Sequence, residues 1–521
     1  MEALSSQGGG RRRGGAFVLV GFMGAGKSSG ARKLAAELGV DALDSDRELE
    51  AVLGEPIEAF FDREGEAAFR AREEETIISL LERDDAQVVA LGGGALRSER
   101  VREALGDHVV IHLDVRPEDA WRRAAGKGRP LARDRKRFEQ LYSERRAVYE
   151  SLADALLPPN GRDVARRALP ALRALRQARV DGIDDIRLIW AEAASGNYPV
   201  FFGRGLVERG FAHPTDGRRF VVTDERVAAH HSLPADHTIA IPPGERHKTL
   251  ATAELVLRDL ASAGAERGDL VVAAGGGVVG DLAGFCAAIY QRGMRYVQVP
   301  TTLVAQVDSA YGGKTGVDIP EGKNYAGAYH QPSAVICDPA VLATLPAEEL
   351  AAGYAEVVKT ALIAGGPLWA RVRRGGDVDD ETILGCLRTK LAVVADDERD
   401  AGLRQVLNLG HTVAHAIESA TGYARYRHGE AVAIGLLAAL RLSGQDALRE
   451  EVSRLLAEHG LPATFDGTTV DDVVALTERD KKRQGGRVPF VLLQEPGNVT
   501  PGHDVAPGDL RAAVEEVHAP R

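Results

Sequence analysis

The chain has 521 residues, more than one ordinary domain holds and enough for about three or four. Its 44% hydrophobic and 27% charged residues describe a globular protein without large disordered tracts, and a formal charge of −11 gives no general support to nucleic-acid binding. Three widely spaced cysteines (Cys286, Cys337, Cys386) argue against a disulfide framework and a cysteine-rich zinc site. The start MEALSSQGGGRRRGG leads into too short an apolar run for a signal peptide, and no stretch nears the roughly 18 apolar residues of a membrane span. The expectation is a cytoplasmic protein with a flexible tail over residues 1–14.

The first element is a buried strand, AFVLV, followed by a glycine-rich turn and a helix. The turn, GFMGAGKS from Gly21 to Ser28, fits G-x-x-x-x-G-K-S/T in its required strand-to-helix context. Backbone N–H groups of Gly24, Ala25, Gly26, Ser28 and Ser29 can cradle phosphate, Lys27 can reach the β/γ oxygens, and the Ser28 hydroxyl can hold Mg²⁺. In DALDSDREL, Asp44 and Asp46 are expected to alternate along a strand, one beside a metal and the other facing a substrate hydroxyl, the bland reading being a solvated acidic turn. Arg70 falls early in a helix in GEAAFRAREEE. Gly92, Gly93 and Gly94 follow a strand, where bare backbone can approach a polyol. GKGRPLARD, with Arg129, is a basic loop able to close as a lid, and Arg145 follows in LYSERRAVY.

Taken in order over residues 15–178, the P-loop, D-x-D, F-R, triple glycine, R-P-L and R-x-x-x-Y resemble shikimate kinase. The resemblance implies transfer of the γ-phosphoryl group of ATP, with Mg²⁺, to the 3-hydroxyl of shikimate. Lys27 and Ser28 would hold nucleotide and metal, and Asp44 would reach the metal through water. Asp46 would bind the accepting hydroxyl and act as base. Arg70 and Arg145 would clamp the carboxylate, with Gly92, Gly93 and Gly94 beside the hydroxyls. Arg129 would reach the transferred phosphate and Arg123 would lie near adenine. Phosphoryl transfer needs mainly positioning and charge compensation, which this set supplies.

A polar break near Arg179 opens a second α/β stretch over 179–340. Its glycine turn AAGGGVVGD (Gly276, Gly277) is Rossmann-like without being a strict G-x-G-x-x-G, so a simple packing turn competes with a nucleotide site. PGERHK (Glu245, Lys248) and VPTTLVAQVDSAYGGKTGVD add polar groups at strand ends, where α/β sheets bind ligands. From 341 to 521 the pattern turns helical. That region holds Glu356, His428, and His411 and His415 one helical turn apart. A glutamate with two histidines is a sound zinc set with an open position, and spacing alone leaves His411 and His415 both able to ligate. Arg292, Lys314, Lys323, Lys359, Lys390, Arg404, Lys481 and Lys482 crowd the same regions, which in an acidic chain suggests an anionic substrate.

With GGKTGVD, GKNYAGAYHQP, DERDAGLRQVLNLGHT and DKK added, residues 180–521 resemble 3-dehydroquinate synthase. The resemblance implies NAD⁺, a divalent metal (Zn²⁺ or Co²⁺), and conversion of 3-deoxy-D-arabino-heptulosonate 7-phosphate to 3-dehydroquinate and phosphate. Glu356, His411 and His428 would then be the metal ligands. Arg292, Lys314, Asn324, Lys359, Lys390, Arg404, Asn408, His415 and Lys481 would bind substrate, with Arg292, Lys314, Lys390 and His415 counted as catalytic. Asp224, Glu245, Lys248, Gly276, Gly277, Val278, Asp281, Thr301, Thr302, Asp308, Lys314, Lys323, Thr344 and Leu345 would line NAD. A homodimer through this half is expected. The fold class that follows is a P-loop kinase domain with a parallel sheet, a Rossmann-like α/β NAD-binding domain, and an all-helical metal-binding domain.

Two other readings compete. One makes the second half another sugar-phosphate cyclase or a polyol dehydrogenase, the latter releasing NADH stoichiometrically. The other, a binding scaffold with one dead domain, predicts loss of Lys27, Asp46, Glu356 or His428, and all four are present.

Overall fold

The computed structural model describes residues 15–124, 134–158, 163–212, 217–483 and 489–519. Packing divides the chain into two units: one runs through Trp190 and includes Pro199–Gly203, and the other takes Ala191–Tyr198 and Arg204 onward. The expected tail over 1–14 lies outside the described residues.

In the first unit the strands are Phe17–Val20 (β1), Ala42–Asp44 (β2), Val88–Ala90 (β3), Val109–Leu113 (β4), Ala155–Leu157 (β5), Arg187–Ala191 (β6) and Tyr198–Phe202 (β7), in the order β2-β3-β1-β4-β5-β6-β7. The pairs from β2 through β6 are parallel. Helices cover both faces of such a sheet, so its central strands read as continuous apolar runs; β1 is FVLV and wholly buried. Its C-terminal end delivers the chain into the glycine loop. Gly24 and Gly26 have φ of 83° and 90°, left-handed values that a side chain would strain, and the helix Lys27–Leu38 starts directly after them.

The strand alternation expected for Asp44 and Asp46 does not occur. β2 ends at Asp44, whose carboxylate accepts the Asp46 N–H at 3.1 Å and caps the helix Ser45–Leu53. An N-cap carboxylate at a strand end starts the helix at once, so Asp46 sits in its first turn.

The second unit is built on Arg219–Asp224 (β8), His237–Ile241 (β9), Leu270–Gly275 (β10), Arg295–Pro300 (β11) and Ala334–Cys337 (β14), ordered β14-β11-β10-β8-β9 and all parallel. Lys314–Ile319 (β12) and Gly322–Tyr329 (β13) form an antiparallel hairpin. The helix Gly277–Ile289 springs from the end of β10. The C-terminal region is helical as expected, with one addition, the hairpin of Phe490–Glu495 (β15) and Asn498–His503 (β16). Among the described residues no helix is long and apolar enough to cross a membrane.

Three helices of this region carry the expected metal ligands: Ala347–Ala364, His411–Ala420 and His428–Leu442. They approach at glycines. A Cβ on Gly429 would stand 1.8 Å from the Ala352 carbonyl oxygen, and one on Gly435 would stand 2.2 Å from that of Gly410. Main chain therefore touches main chain at two points, fixing the spacing of the side chains beside them. Gly429→Ala is expected to cost about 1–3 kcal/mol or more, the usual range for forcing atoms into a packed core. The checking measurement is the denaturation midpoint, and an unchanged value would refute the close approach.

Candidate active sites

At the first site the Lys27 ammonium donates to the carbonyls of Gly21 (2.9 Å) and Phe22 (3.3 Å), so it lies over the mouth of the loop. Ser28 and Ser29 open the helix behind it, where N–H groups and the helix dipole favour an anion. Arg123 donates to the Gly24 carbonyl at 2.8 Å, tying its guanidinium to the same loop. Arg129, the expected lid arginine, lies outside the described residues.

The triple glycine is the meeting point of the expected acid-binding groups. Arg145 donates to the Gly93 carbonyl at 2.8 Å, and the Tyr149 hydroxyl donates to the same oxygen at 2.6 Å. A Cβ on Gly94 would fall 2.4 Å from Arg70 Nη1, and one on Gly92 would fall 2.6 Å from Asp46 Oδ1. Asp46, Arg70 and Arg145 thus converge on one short backbone segment, from three separate helices. The Gly92 N–H donates to Ser45 Oγ at 2.9 Å.

Sequence reasoning missed Glu73. It is buried, pairs with Arg70 at 2.5 Å, and aims an oxygen at Gly92. Burial pushes its carboxyl up, opposed by Arg70. Its one signal was the i, i+3 spacing from Arg70, common on ordinary solvated helices.

At the second site Glu356, His411 and His428 offer one ligand atom each, all within 4.8 Å of one another. Glu356 Oε1 stands 3.5 Å from His411 Nε2 and 3.4 Å from His428 Nε2. Both Glu356 oxygens are buried; the Lys359 ammonium pairs with Oε2, while Oε1 faces the two imidazoles without a well-directed hydrogen bond, a position that a further cation would complete. His411 Nδ1 faces the Leu409 carbonyl at 3.3 Å, turning Nε2 toward Glu356. Burial, then Lys359, push the His411 imidazole well below its ordinary range, keeping a lone pair available. These groups fit a divalent metal. His415, left open as an alternative ligand, is not in this set; it groups with Glu418 and His428. Its ring lies 5.3 Å from that of His411.

Lys359 pairs with Glu356 and stands 3.8 Å from Asp308, which also pairs with Lys390. Asp308 sits in a π-helical turn, Ala305–Ser309, an irregularity that often marks a functional position. Burial would raise its carboxyl, but Lys359 and Lys390 outweigh burial and lower it.

A series of alternating charges leads away from the ligands. Lys323 is 3.1 Å from Glu418 and 3.6 Å from Glu245; Lys248 is 4.0 Å from Glu245 and 2.5 Å from Asp281. Lys248 is buried, so removing Asp281 would leave its charge poorly compensated, at a cost of about 3–5 kcal/mol. Nearby, a Cβ on Gly276 would meet Thr302 at 2.8 Å, and one on Gly277 would meet Ser309 at 3.1 Å. Val278 continues that helix, and Thr301 follows β11, so the glycine turn and the β11 end face one another.

The remaining expected residues make the following contacts. Asp224 caps the helix Glu225–His230, accepting from Arg226 and Val227. Thr344 holds His231 at 2.9 Å, and Leu345 ends the same turn. Lys314 pairs with Asp400 at 2.5 Å. Asn324, at φ 55°, donates its N–H to Asp318. Arg404 is buried and bonded to the carbonyls of Glu398 and Gly312, while Asn408 ends its turn just ahead of His411. Arg292, at φ 67°, lies in the turn after the helix Gly277–Ile289. The Lys481 side chain lies outside the described residues.

Sequence reasoning also missed Glu418, buried three residues after His415 with an oxygen 3.5 Å from His428 Nδ1. Burial would raise its carboxyl, but His428 and Lys323 hold it at about 2.

These side chains define a P-loop phosphoryl-transfer domain and an α/β-plus-helical domain in which three groups are placed where they could hold a metal ion. Residues 23–175 match the shikimate kinase family model, 238–352 the 3-dehydroquinate synthase N-terminal model, and 353–483 its C-terminal model. A 3-dehydroquinate synthase of Halorhodospira halophila is 42% identical over 353 residues, 64% of this chain and 99% of the relative. The solved 2-epi-5-epi-valiolone synthase of Streptomyces hygroscopicus, with NAD⁺ and Zn²⁺ bound, is 27% identical at TM-score 0.56, covering 61% of this chain and 96% of that one. A 2-deoxy-scyllo-inosose synthase complexed with carbaglucose-6-phosphate, NAD⁺ and Co²⁺ shares the fold at 23% identity and TM-score 0.57, covering 63% and 99%. The chain belongs to the 3-dehydroquinate synthase family and carries a shikimate kinase domain ahead of it, making it a bifunctional shikimate-pathway enzyme.

Proposed function

We propose that the triple-glycine site phosphorylates shikimate and that the Glu356, His411, His428 basin cyclises 3-deoxy-D-arabino-heptulosonate 7-phosphate to 3-dehydroquinate with release of phosphate. The carrying observation is the buried Glu356 carboxylate, without a well-directed hydrogen bond, set between two imidazoles and beside the Lys359 ammonium.

In the kinase, Arg70 and Arg145 hold the shikimate carboxylate and Asp46 takes the proton of the attacking 3-hydroxyl. Lys27 steadies the charge on the transferred group, with Arg123 toward the base and Arg129 as lid. Ser28 and, through water, Asp44 would hold Mg²⁺.

In the synthase, Glu356, His411 and His428 would hold Zn²⁺ or Co²⁺, and Asp224, Glu245, Lys248, Gly276, Gly277, Val278, Asp281, Thr301, Thr302, Asp308, Lys314, Lys323, Thr344 and Leu345 would line NAD⁺. When bound, these two groups supply a positive charge for substrate oxygens and a hydride acceptor that is restored within the turnover. Lys314, Lys359, Lys390, Arg404, Asn324, Asn408 and Lys481 bind the substrate's carboxylate, hydroxyls and phosphate. His415 handles a proton beside the phosphate. Arg292 acts across the interface of a homodimer, and the enzyme works in the cytoplasm.

The test measures orthophosphate release from the heptulosonate phosphate, and separately ADP formation with shikimate. Catalytic NAD⁺ with no net NADH supports the proposal; NADH accumulating one for one with substrate would assign the basin to a dehydrogenase.

A further inference from the structure

Glu418 lies outside the three ligands, yet it touches both the metal position and the cofactor side. It sits on the helix His411–Ala420, two turns after the ligand His411 that opens it. One Glu418 oxygen stands 3.5 Å from His428 Nδ1 and 3.1 Å from Lys323 Nζ. The other is buried without a hydrogen bond. His428 Nε2 is the nitrogen that faces Glu356. Lys323 belongs to β13, continues to Glu245, and lies 4.7 Å from the ring centre of Tyr423.

We infer that Glu418 is a positioning residue that couples the two sides of the synthase basin, holding His428 for the metal while holding Lys323 for the dinucleotide. This rests on the reading of the basin given above. A carboxylate at Nδ1 fixes the imidazole tautomer and ring angle, leaving the Nε2 lone pair toward Glu356. The same oxygen anchors a lysine on a two-stranded hairpin. Ordering His428 with a cation therefore orders Glu418, and through it Lys323. By linkage, metal must tighten NAD⁺ binding by the same factor that NAD⁺ tightens metal binding.

The experiment uses the full chain stripped with a chelator, with Co²⁺ and NAD⁺ as probes. Co²⁺ affinity is read by competition with a chromophoric chelator, the ligand field by the visible Co²⁺ spectrum, and NAD⁺ affinity by calorimetry with and without Co²⁺. Shikimate-dependent ADP formation reports that the preparation is intact. Glu418→Gln is expected to weaken Co²⁺ about 10–100-fold, the usual loss for a carboxylate behind a ligating histidine, and to shift the spectrum. It should also abolish the effect of Co²⁺ on NAD⁺ affinity. Lys323→Met keeps Glu418 and covers the case of a misfolded first variant: Co²⁺ alone should bind within about twofold of wild type, while the coupling disappears.

Unchanged Co²⁺ affinity and spectrum in Glu418→Gln would overturn the inference, as would coupling that survives Lys323→Met. A second Co²⁺ equivalent lost with Glu418 would overturn it too, making Glu418 a ligand in the set with His415 and His428. A wild-type chain that bound neither probe would instead sink the reading of the basin, and this inference with it.

Discussion

Replacing His428 by alanine is expected to abolish phosphate release from the heptulosonate phosphate while ADP formation with shikimate stays at the wild-type level. His428 is one of three groups whose ligand atoms lie within 4.8 Å, and it starts its own helix, so no neighbouring side chain on that helix takes its place. Losing one ligand forfeits several kcal/mol of charge stabilisation, and about 4 kcal/mol corresponds to roughly a thousandfold in rate. Metal content after gel filtration provides the independent reading. Normal cyclisation by the variant would refute the ligand assignment.

The second large effect is the converse. Lys27→Ala is expected to lower kcat of the kinase about 10²–10³-fold, the range found when a single preorganised donor to developing charge is removed, and to leave cyclisation unchanged. The Lys27 ammonium donates to two neutral carbonyls, those of Gly21 and Phe22, at the mouth of the loop, where water can take over both bonds. Steady-state ADP formation over a range of ATP and shikimate concentrations separates a kcat effect from weakened binding. An unchanged kcat would remove Lys27 from the chemistry.

Much of both sites was legible from residue type and order. The glycine loop could be read because its Lys27 and Ser28 follow a buried strand and open a helix, the context a phosphate cradle needs. Glu356, His411 and His428 were legible as a set despite their distance along the chain; three helices bring them together, and spacing alone left His415 as an equal candidate. The strand alternation expected of the D-x-D pair failed because the carboxylate of Asp44 caps a helix, which places Asp46 in its first turn. Glu73 and Glu418 were not legible at all. Each follows a basic or imidazole group by three residues on a helix, a spacing that surface helices use freely, and only tertiary burial gives it a role. The hairpin of β15 and β16 was hidden for a related reason, since a two-stranded element among helices carries no distinct pattern over so few residues.

The contact of main chain with main chain at Gly429 and Gly435 has a consequence for engineering. Substitutions that thin the core should therefore leave the spacing of Glu356, His411 and His428 largely unchanged, because the helices that carry them meet main chain to main chain at these glycines. The amides around Ala352, Gly410 and Gly435 should likewise be among the last to exchange with deuterium, released only when this part of the molecule opens as a whole.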